Sequence, residues 1–81
     1  LLGYEETQQL LDKLALSSPK LVKELVPDGL SLGMVSKVLQ GLLAEHIPLT
    51  DIRTIVETLA ELAPKSKDTE YLISQVRIAL S

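Results

Sequence analysis

Between Ser31 and Pro48 the apolar residues fall at Leu32, Val35, Val38, Leu39, Leu42, Leu43 and Ile47. Offsets of three, four and seven place them along one face of a helix, and no strand alternating every second residue can accommodate them. The same spacing recurs wherever the four prolines and four glycines leave room for it. Leu10, Leu11 and Leu14 line one face of a first segment whose opposite face carries Glu5, Glu6, Gln8, Gln9, Asp12 and Lys13. Ser17-Ser18-Pro19 interrupts it. Ser18 then reads as an N-cap ahead of a proline at the first helical position, and a short helix follows through Leu21, Val22, Leu25 and Val26 to the turn residues Pro27-Asp28-Gly29. After Pro48, Thr50 and Asp51 open a fourth segment with Ile52, Ile55, Val56, Leu59, Leu62 and Ala63 on one side. Pro64 ends it. Asp68 caps a last segment carrying Leu72, Ile73, Val76, Ala79 and Leu80.

The expectation is an all-α fold, a compact bundle of about five helices near residues 5–15, 19–26, 32–46, 51–63 and 69–80. Residues 1–81 then form a single helical domain with no internal repeat. Its core should include Leu11, Leu14, Leu25, Val38, Leu39, Leu42, Ile55, Val56, Leu59, Leu72 and Val76. Phe, Trp and Cys are absent, and 29 of the 81 residues are Leu, Ile or Val, so that core must be aliphatic. Gly33 and Gly41 each weaken the third helix by about 1 kcal/mol relative to Ala. Their expected role is to let a neighbouring backbone come close.

The same composition narrows the chemistry. Without cysteine there is no disulfide framework, thiolate metal site or cysteine nucleophile. A single histidine, His46, provides no imidazole pair for zinc, and its place near the end of the third helix suits a cation at the negative end of the helix dipole. Glu57 and Glu61 share a helix face, but the Glu-x-x-His partners of a di-metal bundle are missing. No phosphate-binding glycine loop or nucleophile elbow occurs. The expectation is therefore a protein that is not an enzyme and holds no cofactor or metal. Nor is there an apolar run of the roughly 20 residues needed to span a bilayer.

The third and fourth segments, with Glu45-His46-Ile47-Pro48-Leu49 between them, also suggest a helix-turn-helix. Its recognition helix would present Asp51, Arg53, Thr54, Glu57, Thr58 and Glu61, a net negative face that phosphates repel. The formal net charge of the whole chain is −3. No nucleic-acid partner is expected. A mean hydropathy of +0.24 is high for so small a domain. With a start at Leu1-Leu2-Gly3 and an end straight after a helical pattern, it suggests a piece of a longer protein whose remaining apolar surface meets another surface.

Several blocks together resemble one family in order. They are Thr7-Gln8-Gln9-Leu10-Leu11-Asp12, Pro19 to Pro27, Lys37-Val38-Leu39-Gln40-Gly41-Leu42-Leu43, Ile47 to Ala60, Ala63 to Asp68 and Val76-Arg77-Ile78-Ala79-Leu80. The chain resembles the FHIPEP family of type III secretion export-gate proteins over essentially its whole length. Asp51-x-Arg53-Thr54-Ile55-x-Glu57 is the most specific block. Tyr4, where a basic residue is usual, and Thr69, where proline is usual, depart from the family pattern at helix starts that tolerate several residue types. Leu25-Val26-Pro27 and Lys37-Val38-Leu39-Gln40 favour the flagellar branch over the injectisome.

The resemblance implies the helical third subdomain of the cytoplasmic region of a bacterial inner-membrane protein, attached to the membrane only through a preceding part. It implies a nine-membered ring below an export channel, serving export substrates, chaperones and components of the ATPase complex. The resemblance also implies that the family's chaperone-docking dimple lies mainly in neighbouring subdomains. The partners implied here are neighbouring subdomains and an adjacent protomer. The charges best placed for such contacts are Asp51, Arg53 and Glu57 at the start of the fourth helix, and Lys65, Lys67 and Asp68 in the linker after it. Arg53 leads them, because a guanidinium can grip a carboxylate with two hydrogen bonds. The local alternative is an exposed Arg53–Glu57 pair one turn apart on the helix, worth about 0.3–0.5 kcal/mol. A helical adaptor or helix-turn-helix regulatory domain of an unrelated protein is the competing reading, and a fragment of an enzyme with its active site elsewhere is a third.

Overall fold

A computed structural model describes residues 2–81, and Leu1 lies outside the described residues. Five α-helices follow in order: α1 Tyr4–Ala15, α2 Pro19–Lys23, α3 Leu32–Ala44, α4 Ile52–Leu62 and α5 Thr69–Leu80. The described residues contain no strand. α4 and α5 pack on each other, α3 lies against α5, α1 crosses α3, and α2 fills the corner between α1 and α4.

Each start has a local cause. At α1 the Glu6 carboxylate folds back and accepts from the Gly3 backbone N–H at 2.9 Å, while Glu5 and Glu6 occupy the first turn, where the dipole favours them. Ser31 Oγ accepts from the Met34 N–H at 3.1 Å, Asp51 Oδ1 from the Thr54 N–H at 3.2 Å and Asp68 Oδ1 from the Glu70 N–H at 3.1 Å. These bonds satisfy N–H groups that a helix start leaves without internal partners. Ser18 differs from expectation. Pro19 does occupy the first helical position, but the Ser18 side chain makes no cap bond, and only its carbonyl engages α2, accepting from the Val22 N–H at 3.3 Å.

Two helices end earlier than their apolar patterns suggest. α2 stops at Lys23 instead of 26, and a wide turn spans Glu24–Gly29 with Val26 extended at φ −127° and ψ 122°. The cause is Pro27, whose ring pushes the preceding residue out of the helical region. The Val26–Pro27 peptide is cis. α3 stops at Ala44 instead of 46 because His46 takes φ 62°. The His46 N–H then donates to the Leu43 carbonyl at 2.9 Å and the Ile47 N–H to the Leu42 carbonyl at 3.0 Å. This is a Schellman ending with histidine where glycine is usual.

All eleven expected core residues are buried, and Leu30, Val35, Ala60, Leu62 and Ala63 join them. Two polar residues, Thr7 and Ser36, are buried as well. The helical glycines make room for side chains and not for a neighbouring backbone. A Cβ at Gly41 would collide with Ile73 of α5, and one at Gly33 would stand 2.5 Å from the Tyr4 hydroxyl of α1. α3 is therefore notched on two sides by the helices that cover it.

Candidate functional site

The charges singled out in the sequence lie on the surface, and the structure divides them by what they already hold. Asp51 and Asp68 are helix caps. The Thr54 hydroxyl and backbone N–H hold the Asp51 carboxyl below the ordinary carboxylate range, with Arg53 adding a smaller effect. Lys67 is a clamp: its ammonium donates to the Gly29 and Ala63 carbonyls, both at 2.8 Å. It thereby ties the α4–α5 linker to the turn before α3 and satisfies a carbonyl at the end of α4. These three residues have structural work of their own.

Arg53, Glu57 and Lys65 are exposed. The local Arg53–Glu57 pair does not form; among the described residues the one ion pair joins Arg77 to Glu45. Arg53 instead turns across to the α1–α2 corner, where Nη2 donates to Ser17 Oγ at 3.3 Å. The Ser17 hydroxyl in turn donates to the Leu14 carbonyl at 3.3 Å. A single long bond leaves most of the guanidinium's five N–H donors facing solvent. The surface therefore brings Arg53 to Ser17, and separately Lys67 to Gly29, without joining the six charges into one cluster.

The one ion pair among the described residues joins positions that helical spacing does not connect. Arg77 grips Glu45 through Nε and Nη2, both at 2.7 Å, tying the end of α3 to the last turn of α5. That hydrogen bonding is the main reason the Glu45 carboxyl lies below its ordinary range. The partners are 32 residues apart, and neither stands at a helical spacing that would announce the other. Gln40 was also missed: its amide donates to the Leu2 carbonyl at 2.6 Å and to Ser36 Oγ at 3.3 Å, tying the start of the chain to α3.

A groove of about 630 Å³ is lined by Leu2, Gly3, Gln40, Leu43 and Ala44, none of them ionisable. Among the described residues no three His, Cys, Asp or Glu side chains gather as a metal site would require. Among them too, no helix is long and apolar enough to cross a membrane. The surface does offer exposed large hydrophobic side chains, Leu16 at 88%, Tyr4 at 65% and Ile78 at 63% exposure foremost.

Comparison with known proteins follows the same line. A model of the FHIPEP family matches residues 1–81. The "Flagellar biosynthesis protein FlhA" of Salmonella typhimurium is 51% identical over 80 residues, covering 99% of this chain and 12% of that protein. The chain thus spans about an eighth of the length of the curated relatives it matches. Among solved structures, the Chlamydia pneumoniae CdsV protein superposes with a TM-score of 0.94 at 35% identity, over 99% of this chain and 23% of that solved chain. CdsV has also been solved in complex with the CdsO protein. The nonameric SctV-C assembly from EPEC, solved by cryo-EM, gives 0.92 at 40% identity, over 98% of this chain and 24% of that one.

Proposed function

Because the chain belongs to the FHIPEP family, we propose that it is the helical third subdomain in the cytoplasmic region of a flagellar type III export gate. In this role it is a non-catalytic module that supports ring assembly and protein export. One observation carries the reading: a relative named for flagellar biosynthesis matches nearly every residue of the chain at 51% identity. The likeness to a nonameric SctV-C supports a place in a ring, and the CdsV–CdsO complex supports partners beyond the ring itself. Export substrates, chaperones and ATPase-complex components belong to the whole parent protein. In the proposal the parent is an inner-membrane protein, and this chain lies on its cytoplasmic side.

The surface is consistent with that role. Asp51, Lys67 and Asp68 hold the domain's own loops in place. Arg53, Glu57 and Lys65, which have no ion-pair partner among the described residues, are the contacts proposed toward a neighbouring subdomain or protomer. Arg53 leads, since its fork is almost unspent. The helix-turn-helix alternative is disfavoured, because the cap Asp51 and the exposed Glu57 and Glu61 of α4 surround one arginine.

Exchange of segments tests the reading. This sequence, put in place of the matched segment of Salmonella typhimurium FlhA in a strain lacking its own copy, should restore swimming. A chimera that accumulates to normal levels and leaves the cells immotile would contradict the assignment.

A further inference from the structure

Both ends of the described chain meet at one pole of the bundle, where α3 finishes. The Leu2 carbonyl accepts from the Gln40 amide at 2.6 Å, and Leu2 packs against the core. At the other end Arg77 holds Glu45, and Leu80 lines a hollow of about 180 Å³ with Ile47, Pro48, Thr50 and Asp51. Whatever adjoins these ends in a longer parent therefore meets the domain here. The groove of about 630 Å³ lies at the same pole, formed by Leu2 and Gly3 ahead of α1 and by Gln40, Leu43 and Ala44 of α3. Leu43, 42% exposed, is the one exposed member of the apolar stripe along α3. Gln40 is the one polar side chain in the groove, and its amide N–H groups are already engaged by the Leu2 carbonyl and by Ser36 Oγ at 3.3 Å.

We propose that the segment of the parent chain leading into residue 1 lies over the end of α3 and seats apolar side chains in this groove, covering Leu43. The proposal rests on the reading of this chain as one subdomain of a longer protein, whose curated relatives it spans to about 12%. Consecutive Cα atoms stand about 3.8 Å apart, so a segment joined at this end begins beside the groove that Leu2 lines. Size decides between occupants. The groove's five lining residues fall far short of the roughly 20–30 residues a side that a stable association of free proteins uses. So small a contact does not hold a second copy or a free partner. It does hold a tethered segment, whose effective concentration is on the order of millimolar. A charge buried there would find no opposite charge among the lining residues, so the seated side chains are aliphatic or aromatic.

The test uses the full-length chimera, freed of other cysteines and shown to swim. Ala44→Cys is combined in turn with a single cysteine at each of the roughly ten positions ahead of residue 1, a stretch about 15 Å long as a helix. A disulfide needs Cα atoms within about 7 Å of each other. Oxidation should therefore close an intramolecular bond from Ala44→Cys at one or more of these positions, and none from Lys23→Cys, which lies on α2 beyond the far end of α1. The thiol of Leu43→Cys should react with a maleimide at least about tenfold more slowly than when the same ten residues are replaced by Gly-Ser repeats, as a contact held at millimolar effective concentration requires. Absence of any bond from Ala44→Cys, equally ready closure from Lys23→Cys, or equal labelling rates would overturn the proposal. So would a bond from Ala44→Cys to a second copy, which would assign the groove to an interface between copies. If the unaltered chimera fails to swim, the functional reading fails and this inference with it; if it swims and Leu43→Cys is labelled freely, only the docking groove fails.

Discussion

Thr7 is fully buried on the core face of α1, one and two turns before Leu11 and Leu14, and its hydroxyl has no hydrogen-bond partner. Its backbone N–H is satisfied by the Gly3 carbonyl at 3.0 Å, so the whole deficit lies in the side chain. A desolvated hydroxyl left unpaired costs about 1–3 kcal/mol. Valine replaces it with a methyl group of similar size, and threonine and valine lie close together in helix propensity. Thr7→Val should therefore stabilise the chain by about 1–2 kcal/mol. For a domain of this size each kcal/mol raises Tm by about 4–8 °C. Thr7→Ser keeps the hydroxyl and loses the methyl, and should destabilise by about 0.8 kcal/mol, the worth of one buried methylene-sized group. Urea unfolding followed by circular dichroism reads both, with an unchanged m-value showing that the native fold is retained. A destabilised Thr7→Val beside an unaffected Thr7→Ser would refute the reasoning, because the hydroxyl would then have a partner worth more than the methyl.

Leu39→Ala and Leu59→Ala each empty a site with no exposure and should cost about 2–5 kcal/mol in the same assay; a loss below about 1 kcal/mol would mean that the core collapses around the gap. His46→Gly should stabilise by about 1 kcal/mol, since a non-glycine residue at φ 62° bears the left-handed penalty; a destabilised variant would show that the imidazole makes a contact worth more. Hydrogen bonds lower the carboxyl pKa values of Glu6, Glu45 and Asp51 in the folded state. Their contribution is thus fully present above the ordinary values of 4.5 for Glu and 3.8 for Asp, and is lost as pH falls below these and through the folded values. Glu45→Gln should flatten that acid limb of a pH–stability curve, and an unaltered limb would show that the Arg77 contact does not persist in solution.

The helices and the core were legible because burial writes a period of three to four into the sequence. That signal gave Leu39, Leu42, Ile55 and Leu59 their places without reference to any neighbour. It could not show where α2 ends, since Leu25 and Val26 continue the apolar pattern while Pro27 forbids the conformation. It also passed over Thr7 and Ser36, which are buried by the packing of α1 and α3 despite their polarity. The caps Asp51 and Asp68 were visible as residue types ahead of apolar runs, yet their carboxylates looked equally suited to a neighbour. The Lys67 clamp on Gly29, the Arg53 contact with Ser17 and the Glu45–Arg77 pair each join positions more than 30 residues apart. Side chains on the same helix advertise one another by spacing, and side chains brought together by helix packing do not. The family match and the surface chemistry therefore carry the functional reading, whereas periodicity carries the fold.

The central claim is that this domain works through exposed contacts that do not hold its own fold together, and Arg53 concentrates it. One Arg53→Ala variant, compared for Tm in the isolated chain and for flagellar export in the full-length chimera, separates the two roles. An exposed side chain with a single 3.3 Å bond to Ser17 should change stability by no more than about 0.5 kcal/mol, while ring assembly and export fall. Normal export and assembly with the variant would contradict the account, and so would an unfolded domain, which would make Arg53 a structural residue.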